Sequence, residues 1–487
     1  MAKSKKKNVV SPTLSRKKKD SKKLKKNIKK KKNYFWLIAS LVLFILSLIT
    51  FGLYLWCPFP SIFVVDDIYV SDDNNLHLNF FVLSQKKNDV YCMFNTSGKL
   101  PSADDSKWVL ANDGHCFTTL DDNIYYAYLK DSTNKIVQID DTTKYGKLID
   151  LKINKDIVYL APGGTYNLDV AYEKIGFIDE TVTWNTSDET VATVDENGKI
   201  IAIKKGSCVI SATVMDKSVS ANIIISDLIT SNILKDGYDF NKPEIKCNQY
   251  TKEENDLIDK ILESRINDVG YKTRAGAVEA ARFLVLEFPY RINYFFENGR
   301  KSINNIDGEG RYFHKGLYLD ESRFSGLSKS GNGPQTWGCS LYSVQSHKKT
   351  NNGLNCSGFV TWSIVNAGFD IKDVGARMIS SLDITDYGKV KSFTSSIIKN
   401  GTVKVGDLVH SEHTGGHIGI IIGIDENNVY VAHALWESAS SKLTKRKNNI
   451  SGVQITKYSH NEVGTVFPHV VLMDELYKED GKLTNMW

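Results

Sequence analysis

The stretch NNGLNCSGFVTWSIVNAGFD, residues 351–370, predicts a cysteine at the start of an apolar helix. The apolar residues that recur at helical spacing are Phe359, Val360, Ile364 and Val365. Gly368 supplies a stop signal, so Cys356 falls in the first helical turn. There the unpaired backbone N–H groups and the helix dipole favour thiolate over thiol, and thiolate is the reactive form. A buried structural cysteine is the alternative interpretation.

Two histidines downstream of Cys356 are candidate catalytic bases. His417 opens the apolar run 418–423, which is typical of a buried strand. After a turn at residues 425–428, the strand VYVAHA returns antiparallel and carries His433. A cysteine nucleophile needs a base within hydrogen-bond reach, and that base needs a third group to fix its tautomer. We therefore predict that His417 and His433 lie close together, the alternative being two ordinary core or surface histidines.

The motifs NCSGFV, GDLV, GGHIGIIIG and VYVAHA occur in an order that resembles the NlpC-type family of cell-wall cysteine peptidases. The likeness spans roughly residues 275–436 and implies a papain-like α+β fold. It implies Cys356 as nucleophile, His417 as general base and acid, and His433 as the residue that orients His417. It also implies substrate binding by Tyr290, which lies in the segment FPYR, and no requirement for a metal or another cofactor.

Two features depart from that family. Asn355 stands where the family usually has an aspartate before the cysteine, which retains helix-capping ability but removes a charge. About 66 residues separate Tyr290 from Cys356, far more than is usual. The insert, residues 292–350, carries Trp337 and Cys339, and its length predicts a lid or a substrate-selecting loop.

The sequence gives only weak signals for a metal site and for a disulfide framework. His410, His413 and His417 suggest a metal site, but the intervening residues are loop-like and Glu412 is the only obvious carboxylate nearby, so we predict no metal. The seven cysteines, at 57, 92, 116, 208, 247, 339 and 356, show no CxxC spacing. Cys92 and Cys116 lie in strand-like runs, and whether they pair is left open by the sequence.

The composition is that of a multidomain globular protein with one unusual tail. The 487 residues are 41% hydrophobic, enough for roughly three domains. The formal net charge is +6, but residues 1–33 hold sixteen of the 62 Lys and Arg and a single acid. The remainder has 46 basic and 55 acidic residues, so nothing indicates nucleic-acid binding by the folded part.

The N-terminal region predicts a membrane anchor. Residues 1–33 are too charged to bury a core and are expected to be a disordered cytoplasmic tail. Residues 34–56 form an uncharged run of 23, long enough for a transmembrane helix. The lysines before it orient the N-terminus to the cytoplasm and the bulk of the chain outside the cell. A cleaved signal peptide and a lipoprotein at Cys57 are weaker alternatives, since no A-x-A-like site follows and bulky Trp56 precedes the cysteine.

Two β modules and a linker are predicted before the cysteine domain. Residues 61–148 alternate in short strands, which predicts a β-sandwich. In residues 149–226, Asn197-Gly198 between apolar runs predicts a hairpin, and Cys208 alternates with core positions. The stretch VTWNTSDETVATVDENGKIIAIKKGSCVISATV resembles a group 2 bacterial Ig-like domain, which implies a bacterial surface protein. A linker, 227–250, leads to the NlpC-type domain at 251–487.

We therefore expect a membrane-anchored extracellular hydrolase that cuts an amide bond in the stem peptides of peptidoglycan. The alternatives are another papain-like amidase, a transpeptidase or an acyltransferase at the cell wall, or an inactive wall-binding adhesin. Expected partners are peptidoglycan and the cell membrane, with possible membership of a larger envelope assembly.

Overall fold

A computed structural model describes most of the chain. The described residues are 36–52, 61–83, 89–121, 123–139, 146–231, 233, 242–246, 249–294, 327–329, 342–344, 354–372, 374–376, 378–379, 383–412, 416–447 and 449–487. Residues 36–52 form helix α1, which is the described part of the predicted membrane segment 34–56. None of the helices in these ranges is both long enough and apolar enough to cross a bilayer. The basic tail 1–33 and most of the insert 292–350 lie outside the described residues.

The chain divides into two compact units. One holds Met1–Leu151 with Tyr172–Thr181, and the other holds Lys152–Ala171 with Val182–Trp487. The strands after α1 are β1 (Ile62–Val70), β2 (Asn75–Leu83), β3 (Val90–Asn95), β4 (Val109–Leu110), β5 (His115–Thr119), β6 (Tyr126–Asp131) and β7 (Ile136–Gln138). They form two sheets, β1-β2-β5 and β4-β3-β6-β7, over one apolar core.

A disulfide joins these two sheets. It links Cys92 on β3 to Cys116 on β5, with 6.5 Å between their Cα atoms. Both cysteines are buried in the core between the sheets. The pairing that the sequence left open is therefore present, and it holds the two layers of the sandwich together.

The Ig-like module follows the predicted strand pattern. Its strands are β8 (Gly146–Ile153), β9 (Ile157–Leu160), β10 (Thr165–Asn167), β11 (Val170–Gly176), β12 (Thr183–Thr186), β13 (Ala192–Val194), β14 (Lys199–Ala202), β15 (Gly206–Val214) and β16 (Lys217–Ile225). They pair as β12-β15-β16-β9, β10-β14-β13 and β8-β11. Gly198 has φ +76° in the β13–β14 turn, and a Cβ there would lie 2.4 Å from the Leu168 carbonyl oxygen. Cys208 is buried in the core, as predicted.

The C-terminal region combines helices with a six-stranded antiparallel sheet. Its helices are α2 (Lys252–Val269), α3 (Arg274–Arg282), α4 (Cys356–Asn366), α5 (Ser395–Lys399), α6 (Ser441–Thr444) and α7 (Val463–Val466), with a 3-10 turn at Asp383–Asp386. Its strands are β17 (Leu327–Lys329), β18 (Tyr342–Val344), β19 (Lys389–Ser392), β20 (Leu408–Ser411), β21 (His417–Ile424), β22 (Asn428–Leu435), β23 (Gly452–Ser459) and β24 (His469–Leu472). The sheet order is β19-β24-β20-β21-β22-β23, while β17 and β18 pair separately.

Two helices precede the insert. Thr251 and Glu254 form a capping box at the start of α2. Helix α3 ends at Arg282, and a π-helix continues the chain over Phe283–Glu287. The wider turn leaves carbonyl groups for the Lys242 ammonium, which donates to the oxygens of Val285, Leu286 and Phe288 at 3.0, 3.3 and 2.8 Å. Lys242 therefore compensates the lost α-helical hydrogen bonds.

The Ig-like module is packed firmly against α2. Arg265 pairs with both carboxylate oxygens of Glu287 at 3.1 Å and donates to the Tyr159 carbonyl at 2.9 Å. Lys155 pairs with Asp268. Apolar residues from the predicted linker 227–250 are buried in the same core as Cys356: Leu228, Ile229 and Ile245. The segment between the module and the C-terminal domain is thus part of a continuous core.

Two arginines on α3 reach residues far downstream. Arg274 is fully buried and pairs with Asp407 at 2.7 Å, Asp474 at 2.7 Å and Asp480 at 3.0 Å. Arg282 donates to the carbonyl oxygens of Ile422 and Thr484 at 2.7 and 2.9 Å. Helix α3 is thereby tied both to the sheet and to the segment that follows β24.

Candidate active site

Cys356 is the first residue of α4, as the sequence predicts. The N-cap is Asn355, whose side-chain oxygen accepts from the Gly358 N–H at 2.6 Å and from the Ser357 hydroxyl at 3.2 Å. The neutral amide therefore caps the helix as an aspartate would. Every residue of α4 is buried, including Cys356, which is 6% exposed. A helix that is covered on all sides holds its first turn rigidly.

The structure brings His417 and His433 together. His417 is the first residue of β21, His433 lies on the antiparallel strand β22, and their rings meet with Nε2 of His417 3.0 Å from Nδ1 of His433. Asp425 shapes the turn between the strands by accepting from the backbone N–H groups of Asn427 and Asn428. Helix α4 packs against both strands, and Cys356 belongs to the apolar core that α4 shares with them.

Thr456 extends the hydrogen-bonded chain of the two histidines. It was not among the residues predicted from the sequence. Its hydroxyl lies 2.9 Å from Nε2 of His433, on the neighbouring strand β23. Thr456 pairs in register with Val431, two residues before His433, so the contact is diagonal across the ladder. The alternation of apolar and polar residues in VQITKYS placed Thr456 on one face with Gln454, but the pairing register was needed to place it beside His433.

The hydrogen bonds define which tautomer of His417 can act as a base. If Nε2–H of His417 donates to His433, and Nε2–H of His433 donates to Thr456, then Nδ1 of His417 carries a lone pair. That Nδ1 atom is buried and has no hydrogen-bond partner among the residues that the structure describes. The relay His417–His433–Thr456 thus leaves one nitrogen able to receive a proton.

Aromatic side chains surround the histidines and exclude water. The ring centroid of His417 lies 5.8 Å from that of Trp436 and 6.2 Å from that of Phe467. Because burial disfavours the charged imidazolium, the pKa of His417 is lowered to about 3, with a further contribution from His410. Burial likewise lowers the pKa of His433 well below its ordinary value. Both imidazoles are therefore neutral at pH 7 in this arrangement.

The GDLV motif serves the architecture beneath the site. Asp407 accepts from Arg274 at 2.7 Å and from the backbone N–H groups of Lys404 and Met473 at 2.8 and 2.9 Å. Gly406 has φ +95°, and a Cβ there would lie 2.8 Å from Cγ of Arg274. The glycine thus lets the arginine approach, and the aspartate fixes the start of β20 beside β21.

Tyr290 lies in a separate pocket. Its hydroxyl accepts from Nε2 of Gln249 at 3.0 Å, and its ring packs edge-on against Tyr250 with centroids 5.8 Å apart. The same pocket is lined by Arg291 and Arg446. The structure thus places the predicted substrate-binding tyrosine among basic residues, and no described hydrogen bond joins it to the histidine relay.

The described ranges contain no group of three histidine, cysteine or acidic residues arranged to hold a metal ion. Of the histidines considered for a metal, His413 lies outside the described residues, while Nε2 of His410 lies 3.2 Å from the Ala376 carbonyl oxygen.

Comparison with known proteins supports the Ig-like module. Residues 150–224 match the family described as Bacterial Ig-like domain (group 2). An uncharacterized protein of Clostridium acetobutylicum is 34% identical over 107 residues, which are 21% of this chain and 26% of that protein. A 3-O-alpha-D-galactosyl-alpha-L-arabinofuranosidase of Bifidobacterium longum subsp. longum is 40% identical over 68 residues, 14% of this chain and 6% of that protein. The chain spans about a quarter of the first relative's length and much less of the second.

Similar solved structures include domains 4 and 5 of the S-layer protein SbsC, 15% identical over 25% of this chain and 87% of that one, with a TM-score of 0.16. A GH10 xylanase from termite gut that contains a bacterial Ig-like domain is 15% identical, covering 24% of this chain and 27% of that one, with a TM-score of 0.13. These scores are too low to carry an argument. Residues 150–224 are a bacterial Ig-like domain of group 2.

Proposed function

We propose that the chain is a cell-wall cysteine peptidase of the papain-like NlpC type that hydrolyses an amide bond in peptidoglycan stem peptides. The observation that carries the proposal is the relay His417–His433–Thr456 beside the helix that begins at Cys356. A helix-start thiol, a base and an orienting group are the parts that thiol hydrolysis needs. The order of the four sequence motifs supports the same assignment.

In the proposed mechanism, the sulfur of Cys356 attacks the amide carbonyl carbon while its proton passes to Nδ1 of His417. The carbonyl electron pair moves to oxygen, where backbone N–H groups at the start of α4 stabilise the oxyanion. Collapse of this intermediate breaks the C–N bond, and the leaving amine takes the proton from Nδ1. Water then gives a proton to Nδ1 and attacks the thioester, and the expelled thiolate recovers that proton.

The neutral state of His417 favours proton transfer during attack over a resting thiolate–imidazolium pair. Burial lowers the pKa of His417 to about 3, which makes a standing imidazolium costly. The imidazolium forms transiently, and His433, as acceptor at Nδ1, stabilises it through the 3.0 Å contact. His433 is in turn fixed by Thr456.

The proposal places this domain outside the cell on a single-pass anchor. The support is the uncharged run at residues 34–56 behind a basic tail, together with the Ig-like domain at 150–224. Such modules extend the reach of a catalytic domain into the wall.

Digestion of purified sacculi by the full-length protein in detergent tests the proposal. We expect new muropeptides by mass spectrometry, lost in Cys356→Ala and His417→Gln and retained in the matched control Cys208→Ala, which alters a buried thiol of the Ig-like module. The mass of the products identifies the bond and separates a peptidase from an amidase or a transpeptidase. Identical products from the unaltered protein and Cys356→Ala would contradict the enzymatic function and favour a wall-binding role.

A further inference from the structure

A basic pocket lies beside the edge strand of the six-stranded sheet. One wall is the π-helix with Tyr290 and Arg291, and the other is the segment from Arg446 into β23. Its charged lining residues are Lys242, Arg291 and Arg446, all of them positive. The remainder are mostly aliphatic, so the pocket combines cationic donors with an apolar wall.

Lys242 and Arg291 differ in how many of their donors are already hydrogen-bonded. Lys242 donates to three backbone carbonyl oxygens, so its ammonium is engaged by the π-helix. Arg291 donates from Nη1 to the Lys242 carbonyl at 3.0 Å, while its buried Nε has no hydrogen-bond partner among the described residues. Burial lowers the pKa of Arg291 despite the opposing field of Glu244. A buried guanidinium donor without an acceptor is stabilised by a bound anion.

The pocket borders the histidine relay along strand β23. Gln454, a pocket residue, lies directly opposite His433 in the β22–β23 ladder, and Thr456 of the relay follows two residues later on the same strand. The positive charge of Arg446 contributes to the lowered pKa of His433. A group bound in the pocket therefore lies within electrostatic range of the relay.

The chain after Arg291 links the pocket to the nucleophile. The Ile292 carbonyl accepts from the Val453 N–H at 2.7 Å, and the Asn293 carbonyl accepts from the Leu354 N–H at 3.0 Å. Leu354 directly precedes the Asn355 cap of α4. Residues 292 and 293 thus join the wall that carries Arg291 to the residue just before the N-cap of α4.

We propose that this pocket is a specificity subsite that binds an aliphatic carboxylate of the peptide substrate, with Arg291 and Arg446 as donors. The inference rests on the proposed function. A guanidinium pairs with a carboxylate in a planar fork, and the aliphatic wall of Leu284, Val285 and Ile455 suits the methylene groups of an acidic amino acid. A carboxamide at the same position offers no negative charge to Arg291 and Arg446.

Calorimetric binding to full-length Cys356→Ala tests the subsite independently of hydrolysis. The probes are the peptide L-Ala-γ-D-Glu-L-Lys with a free α-carboxylate on its glutamate and the same peptide with that group as a carboxamide. We expect the carboxylate form to bind about 10- to 100-fold more tightly, the range for a charge-assisted hydrogen bond. Arg291→Gln and Arg446→Gln, each in the Cys356→Ala background, should abolish that preference, while Lys457→Gln, which neutralises a β23 residue outside the pocket, should retain it.

Equal affinity for the two probes would overturn the subsite, as would a preference that survives in both arginine variants with unchanged circular dichroism. If one variant does not fold, the other carries the test. The hydrolysis experiment is separate: selective binding without hydrolysis by the unaltered protein would retain the subsite and reject the peptidase.

Discussion

Acidification should destabilise the C-terminal domain through His417. Burial lowers the pKa of this imidazole from its ordinary 6.5 to about 3 in the folded state. As the pH falls below 6.5, the unfolded chain takes up a proton that the folded state does not. The contribution of the neutral His417 to the free energy of unfolding is therefore fully present above pH 6.5, and it is lost as the pH falls towards 3. Between pH 7.5 and pH 5 the loss is about 2 kcal/mol, from 1.5 pH units at about 1.36 kcal/mol each.

Hydrogen exchange of the full-length protein in urea, read by mass spectrometry on peptides from β21 and β22, measures this loss locally. His417→Gln removes the titrating imidazole and should reduce the dependence on pH by about 2 kcal/mol over the same interval. Cys356→Ser is the matched control, because it alters the same site without removing the histidine. A residual dependence is expected in His417→Gln, since the pKa of His433 is lowered in the same direction.

Two outcomes would refute this reasoning. A free energy of unfolding that does not change from pH 7.5 to pH 5 would mean that His417 takes up its proton equally well when folded. An identical pH dependence in the unaltered protein and His417→Gln would assign the effect to other groups.

Three further perturbations have defined expectations. Asp407→Ala should lower the free energy of unfolding in urea by about 3 to 5 kcal/mol, because it leaves the buried Arg274 without its buried partner. Asp474→Ala should lower it by under about 1 kcal/mol, because the Asp474 side chain is 53% exposed. Equal costs for the two variants would contradict this expectation. Asn355→Ala should lower the free energy of unfolding by about 1 kcal/mol through loss of the helix cap, and Asn355→Asp should retain it; if alanine costs nothing, the cap is unimportant. The double variant Cys92→Ala/Cys116→Ala should lower the free energy of unfolding of the first β module by about 3 kcal/mol, because the disulfide closes a loop with a sequence separation of 24. An unchanged denaturation midpoint would contradict this expectation.

The positions of the candidate catalytic groups could be predicted because they depend on local patterns. An apolar helix after NCSG places Cys356 at its start, and a hairpin of two buried strands brings His417 next to His433. The Ig-like module was predictable for the same reason, since the Asn197-Gly198 turn and strict alternation specify its strands. Periodicity and turn chemistry act over a few residues, so the sequence alone carries them.

What the sequence did not predict depends on register and on long-range pairing. Thr456 meets His433 only because β23 pairs with β22 in one register, which a shift of one residue would abolish. The buried ion pairs of Arg274 join residues separated by 133, 200 and 206 positions. The π-helix at Phe283–Glu287 is stabilised by contact with Lys242, which lies more than forty residues earlier. Such contacts have no local signature in the chain.

The arginines of α3 also constrain the order in which this domain is completed during synthesis. A chain that emerges N-terminus first presents Arg274 and Arg282 long before residues 474–484 are available to pair with them. Until then, helix α3 carries two guanidinium groups that cannot be buried at low cost. Closing loops of about 200 residues is entropically costly. We therefore expect the contacts of Arg274 with Asp480 and of Arg282 with Thr484 to form late in folding. The histidine pair on β21 and β22 would then reach its final packing only after synthesis has passed residue 484.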